Sequence, residues 1–362
     1  MEHLKRLAVL ADGEMAPHPS KTLAGVLRYR SDRVVVAVDR QHDGRDTGDV
    51  LGLGHGTPIV RDVAAALEHG PDGVLLATEP TGGVLHPYWR DQILQAAEAG
   101  LDVVNGLHTL ISGDERIVAA AQRSGARIWD LRTPPVERYR TPLDADGKPI
   151  VRVREHRPGT RTVLAVGTDC GIGKMTTMLE IERESAARGL GPAFVATGQI
   201  AMMITGRGVP VDAIMSDFVN SVVEDEVCDA VREHDLVLVE GQGALNHPRF
   251  SAVTLGLLHG TRPDSMILCH DLRRPAIKLM PDWPLPPLKR AIEINEEAAR
   301  WLWPDGPARV VGVSVITGAV PDEQARAELA RITEETGLPA TDVLRYGPGP
   351  LVDAIMAGPV AS

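Results

Sequence analysis

Short aliphatic runs recur along the chain and alternate with segments of helical periodicity. In the first part, runs at 6–10, 33–38, 73–77, 101–105 and 127–130 read as strands. Segments 59–69, 89–99 and 114–124 between them read as helices. Strand, helix and strand repeating at this interval predict a parallel sheet covered on both faces. Strands buried that way read as unbroken Val, Ile and Leu, because both faces meet helices. The second part repeats the scheme, with strands at 162–166, 193–196, 236–239, 265–269 and 309–315 and helices at 174–188, 216–232, 288–302 and 322–336. The last helix opens on Asp322 and Glu323 and closes at Gly337-Leu338-Pro339, a well-formed start and stop. Between the two parts, residues 131–161 are polar and proline-bearing, with turn chemistry throughout. The expectation is an α/β protein of two domains, 1–155 and 156–362, each with a mainly parallel sheet.

Composition narrows the function classes. Aromatic residues make up 3% of the 362 residues, so the cores must be built from Val, Leu, Ile and Ala. The net charge of −11 offers no electrostatic footprint for nucleic acid or an anionic membrane, yet leaves room for a local anion cradle. Cys170, Cys228 and Cys269 have no metal-type spacing, which fits a reducing cytoplasm. The N-terminal apolar stretch is too short for a signal peptide, and no run approaches the ~20 apolar residues of a membrane span. A small-molecule partner is expected, with no nucleic acid and no membrane.

The strongest chemical signal is the strand 163–166 running into Gly167-Thr168-Asp169-Cys170-Gly171-Ile172-Gly173-Lys174-Met175-Thr176-Thr177. Glycines let backbone N–H groups close around an anion, and the following helix presents its positive N-terminus to it. Lys174 adds a charge-assisted contact to phosphate. About 70 residues on, the strand 236–239 ends in Glu240-Gly241-Gln242-Gly243. Asp169 and Glu240 are hard oxygen ligands at two strand ends expected to lie side by side. Mg²⁺ suits such a pair, with Thr176 supplying the hydroxyl that Met175 cannot. The spacing departs from the usual Gly-x₄-Gly-Lys-Ser/Thr pattern, since Gly167 stands one residue further from Gly173.

Other loops carry weaker candidates. Glu79 and His108 follow predicted strands, where ligands of open parallel sheets gather, although turn or capping roles explain them as well. Gln199 and Arg207 follow the strand 193–196 and are expected to contact phosphate or a substrate carboxylate, whereas Met202, Met203 and Ile204 read as core. Asp217 opens a helix, as a cap or as a base. His247 and His259 fall in loops near the acidic strand end and His270 closes the next strand, one of the three an acid/base group. The candidate catalytic set is Lys174, Asp217 and His247.

Two resemblances extend this reading. Gly167-Thr168-Asp169, Gly173-Lys174, Thr197-Gly198 and Glu240-Gly241 resemble dethiobiotin synthetase, which implies ATP in the loop and Mg²⁺ on Asp169 and Glu240. That enzyme carries a lysine where this chain reads Pro192-Ala193-Phe194, so its carboxylation chemistry does not transfer. Over nearly the whole chain, the segments GTDCGIGKMTT, TGQIAMMITGRGVPVDAIMSDFV, EGQGALNHPRFSAVTLGLLHGTRPD and LCHDLRRP resemble the D-glutamate N-acetyltransferase-like family, long catalogued as a domain of unknown function. The resemblance implies a Rossmann-like N-terminal domain, a P-loop NTPase-like C-terminal domain, and acetyl transfer to the amine of a D-amino acid such as D-glutamate. Met175 fits that family's loop. The phosphates of acetyl-CoA or of ATP suit the cradle equally, so an ATP/Mg-dependent ligase or kinase, and a P-loop ATPase switch, stand as alternatives. By analogy with related P-loop enzymes a homo-oligomer is expected.

Overall fold

The computed structural model describes residues 4–15, 20–78, 85–139, 144–148 and 159–359. Glu79 and much of the junction at 131–161 lie outside the described residues. The chain divides into two compact units, Met1–Pro134 with Gln199–Ala213, and Pro135–Gly198 with Ile214–Ser362.

Unit 1 is built on six parallel strands: β1 (Leu7–Leu10), β2 (Val34–Val38), β3 (Ile59–Val60), β4 (Gly73–Leu76), β5 (Asp102–Asn105) and β6 (Ile128–Asp130). Their order, β3-β2-β1-β4-β5-β6, is that of a doubly wound Rossmann-like sheet. The short strand β3 corrects the helix expected at 59–69. Ile59 and Val60 are β-branched and pair with β2. The helix begins only at Val63, where the Asp62 carboxylate accepts the Ala65 N–H and caps it. The core lies between strands and helices and is aliphatic: Leu10, Val36, Val38, Val74, Leu76, Ile93, Val103 and Ile117 are buried together.

Residues 199–213, read from sequence as part of the second domain, belong to unit 1. The helix Gln199–Thr205 buries Ala201, Met202, Met203 and Ile204, which are core as expected. Gly106 makes room for it: a Cβ there would stand 2.6 Å from the Met203 Cε and 3.0 Å from the Gln199 Cγ. Arg30 donates to the Ile204 carbonyl at 2.5 Å, near the helix end.

Unit 2 has a second six-stranded parallel sheet: β7 (Arg161–Gly167), β8 (Pro192–Val195), β9 (Leu236–Val239), β10 (Ser265–Asp271), β13 (Arg309–Ile316) and β14 (Ala340–Thr341). Their order is β14-β13-β10-β7-β9-β8, and β11 (Ala276–Ile277) pairs with β12 (Met280–Pro284) as a separate antiparallel hairpin. β7 therefore sits centrally with β9 on one side, as the placement of Asp169 and Glu240 at neighbouring strand ends requires. The helix Ser251–Thr261 replaces the loop expected around His259. Gly256 and Gly260 let it approach the helix Val219–Glu233 closely, since Cβ atoms there would lie 2.6 Å from Val219 and from the Asn220 carbonyl. Among the described residues no helix is long and apolar enough to cross a membrane.

Candidate functional site

The segment between β7 and the helix Lys174–Ala187 wraps as a glycine-rich loop of P-loop type. Gly171 and Gly173 take φ of 62° and 88°, in the left-handed region that a side chain would strain. The helix starts without a side-chain cap and without an acid in its first turn. Lys174 is 6% exposed, and its Nζ donates to the Asp169 carbonyl at 2.8 Å, curling under the loop. The narrow slot for this side chain depends on Gly167: a Cβ there would stand 3.3 Å from Nζ. Thr168 and Ile172 are buried in the loop's floor, Cys170 is half-buried, and Met175 and Thr176 are half-buried in the first helical turn. Thr177 turns inward, its Oγ1 2.7 Å from the Ser314 hydroxyl oxygen, so its hydroxyl is spent in the core rather than on a ligand.

Asp169 is fully buried and holds three donors. Oδ1 accepts the Cys170 N–H at 2.6 Å, and Oδ2 accepts Arg274 Nη1 at 2.8 Å and the Lys278 N–H at 2.9 Å. Arg274 also donates to the carbonyls of Cys170 (2.5 Å) and Gly171 (3.0 Å). From the other side Asn246 donates to the Thr168 carbonyl at 2.8 Å, and the Thr168 hydroxyl lies 3.0 Å from His270 Nδ1. The loop is thus braced before any ligand arrives, which lowers the ordering cost of binding.

Glu240, 3% exposed, follows β9. Its Oε2 accepts the N–H groups of Thr197 and Gly198, both at 2.9 Å. Burial is the largest influence and pushes the carboxyl up to about 7, with the Thr197 and Gly198 amides, the Thr197 hydroxyl and Lys174 opposing it only in part. In the unfolded chain a glutamate titrates near 4.5. The folded state therefore holds the proton more tightly, and the stability this adds is complete below about 4.5 and lost as pH rises through about 7. Glu240→Gln, fixed in the neutral form, should melt above wild type at about pH 8, by at most about 3 kcal/mol, with the margin shrinking toward about pH 5. A margin that does not vary with pH would remove the burial argument.

These contacts decide whether a metal fits. Of the expected Mg²⁺ set of Asp169, Thr176 and Glu240, Asp169 is committed to an arginine and two amides, and one Glu240 oxygen to two amides. A different group, Asp169 Oδ1, Cys170 Sγ and His247 Nε2, does lie within 4.8 Å. His247 Nδ1, however, accepts the Arg249 N–H at 3.1 Å, so the neutral ring carries its proton on Nε2 and has no lone pair there for a metal. Asp169 ties the loop to Arg274 and Lys278, Glu240 holds the turn at Thr197 and Gly198, and no metal is carried into the chemistry below.

His247 is buried, 3.8 Å from Asp169 through Nε2 and 4.6 Å from the Phe250 ring centroid. Burial lowers its pKa, with Asp169 opposing. The ring is thus enclosed beside Asp169, without a hydrogen bond to it. His259 spends Nε2 on the Ala298 carbonyl at 3.1 Å. Asp217 is exposed in the short 3₁₀ turn Ser216–Phe218 and joins none of the loop's contacts described above. Gln199 and Arg207 belong to unit 1 and His108 is exposed there. Sequence reasoning passed over Arg274 and Lys278. The signal was an arginine pair directly after the strand 265–271, at the carboxyl end beside the loop.

Comparison with known proteins agrees with this geometry. Residues 149–352 match a domain of unknown function described as a P-loop domain (DUF1611_C), and residues 40–134 match its Rossmann-like companion (DUF1611_N). A curated relative from Tritonibacter scottomollicae, named D-glutamate N-acetyltransferase, is 36% identical over 93% of this chain and 94% of its own length. One of the same name from Pseudoalteromonas sp. is 35% identical over 82% of this chain and 83% of its own. The crystal structure of a DUF1611 family protein from Anabaena variabilis superposes with a TM-score of 0.87 at 34% identity, covering 98% of this chain and all of that one.

Proposed function

The chain belongs to the DUF1611 family, and on that premise we propose that it is an N-acetyltransferase moving the acetyl group of acetyl-CoA to the amine of a D-amino acid of the glutamate type. What carries the reading is the pair of relatives bearing that name, each matched over most of both chains. The loop supports it chemically. Coenzyme A carries a 3′-phospho-ADP, and Lys174 with the uncapped helix amides makes a cradle for such phosphates. In the reaction the deprotonated amine attacks the thioester carbonyl, a C–N bond forms, the C–S bond breaks, and the thiolate of CoA takes up a proton. None of this calls for the Mg²⁺ that an ATP-driven ligase or kinase needs. The engagement of Asp169 with Arg274 and main-chain amides, and of one Glu240 oxygen with the Thr197 and Gly198 amides, favours acetyl transfer.

The test is to incubate the protein with acetyl-CoA, Mg-ATP and either D- or L-glutamate, and to read the products by mass spectrometry. The expected result is N-acetylglutamate and free CoA from the D-isomer, with ATP intact and the yield unchanged by EDTA. ADP or AMP formed while acetyl-CoA stays whole would overturn the proposal in favour of ATP-driven ligation or phosphorylation.

A further inference from the structure

In unit 2 the sheet order reverses at β7: β9 and β8 lie on one side, and β10, β13 and β14 on the other. Ligands of open parallel sheets bind outside the carboxyl ends of the strands at such a reversal. Two connections leave that crevice, the glycine loop after β7 and the segment 272–284 after β10. The second folds into the β11–β12 hairpin and is pinned to the first, through Arg274 to Asp169, Cys170 and Gly171 and through the Lys278 N–H to Asp169.

Only the backbone of Lys278 serves that brace, and its side chain is exposed. Next to it Leu279 is 90% exposed at a φ of 65°, and on β12 Trp283 is 54% exposed. Residues 273–284 carry Arg273, Arg274 and Lys278 against Asp282; Arg273 is paired with Asp271 and Arg274 with Asp169, so the charge left to a ligand is that of Lys278. A large ring left half in water on the same hairpin as the exposed Lys278 ammonium, on a segment fastened to the glycine loop, matches the chemistry of a phosphorylated nucleotide.

Resting on the reading that the loop takes the phosphates of the coenzyme, we propose that this hairpin is the wall that recognises its nucleotide end. The Lys278 ammonium pairs with a phosphate, and the Trp283 indole stacks on the adenine. The docking of Arg274 and the Lys278 N–H on Asp169 keeps this wall and the loop in fixed register, so phosphate and base are read together.

The experiment is titration calorimetry of the full chain with CoA, alongside steady-state kinetics with acetyl-CoA. Lys278→Ala and Trp283→Ala should each weaken CoA by about tenfold and raise the KM for acetyl-CoA, leaving kcat and the KM for the amino acid unchanged. Trp301→Ala, another exposed tryptophan, should bind CoA as wild type does. Wild-type affinity in both hairpin variants, while Lys174→Ala is weakened, overturns this proposal alone. Failure of the wild-type protein to bind CoA overturns the acetyl-CoA reading and this proposal with it.

Discussion

Replacing Lys174 by alanine should reduce kcat/KM for the phosphate-bearing substrate by about 10²–10³-fold, the effect of losing one preorganised charge at an anion site worth roughly 3–4 kcal/mol. The ammonium sits under the loop on the Asp169 carbonyl, within a cradle whose remaining donors are backbone amides. No other side chain among the described residues occupies that slot, so nothing compensates. The fold should survive: the lost methylenes and the orphaned carbonyl cost about 1–3 kcal/mol, which circular dichroism and a modest fall in melting temperature would register. Lys174→Arg should recover little, because the slot is narrow at Cδ, 3.0 Å from where a Gly241 side chain would begin. Wild-type kcat/KM in a folded Lys174→Ala variant would end the anion-cradle argument.

Gly241→Ala should produce the largest loss of stability of any single methyl group added near the site. Its Cβ would fall 1.7 Å from the Ala165 carbonyl oxygen and 2.7 Å from the carbonyl carbon, both main-chain atoms of β7. A flexible side chain could step aside, but a strand in the centre of a sheet cannot. The ends of β7 and β9 must spread, which lifts Glu240 from the Thr197 and Gly198 amides and loosens the loop. Overpacking of this kind costs about 3 kcal/mol or more. At ~2–4 °C per kcal/mol for a unit of about 150–250 residues, the size range of unit 2, the melting temperature should fall by about 6–12 °C, measured by calorimetry. Gly113→Ala is the control, since nothing lies within 4 Å of the Cβ it would add and its backbone has no left-handed φ. A Gly241→Ala variant that melts with wild type would show that the two strand ends are not packed as described.

The parts of the site that sequence revealed are those where chemistry is local. Gly171, Gly173 and Lys174 fall within four consecutive positions, and a glycine loop with a lysine between a strand and a helix suits little besides an anion. β7 and β9 were legible because strands covered on both faces must be aliphatic throughout. Helix starts were less so: Ile59 and Val60 fit a helical apolar stripe, and only pairing with β2 makes them a strand. The helix Ser251–Thr261 is apolar on nearly every side, so it lacks the periodicity that would announce it. The contacts of Asp169 were hidden by distance along the chain. Arg274 is 105 residues away and Asn246, which steadies Thr168, is 78. Nothing in either stretch marks them as neighbours of the loop until β10 is seated beside β7.

The amino-acid sequence by itself determined that this protein is an α/β chain with a glycine-rich P-loop at Gly167–Thr177, and its family, because these rest on periodicity and contiguous residues. Tertiary structure alone decided what the charged groups do. Asp169 and Glu240 look like metal ligands as isolated carboxylates. In the fold they are buried and accept from an arginine and four main-chain amides. His247 looks like a base and is enclosed behind Asp169. The role of a carboxylate or an imidazole is set by its solvation and by the donors around it, and strand order chooses both.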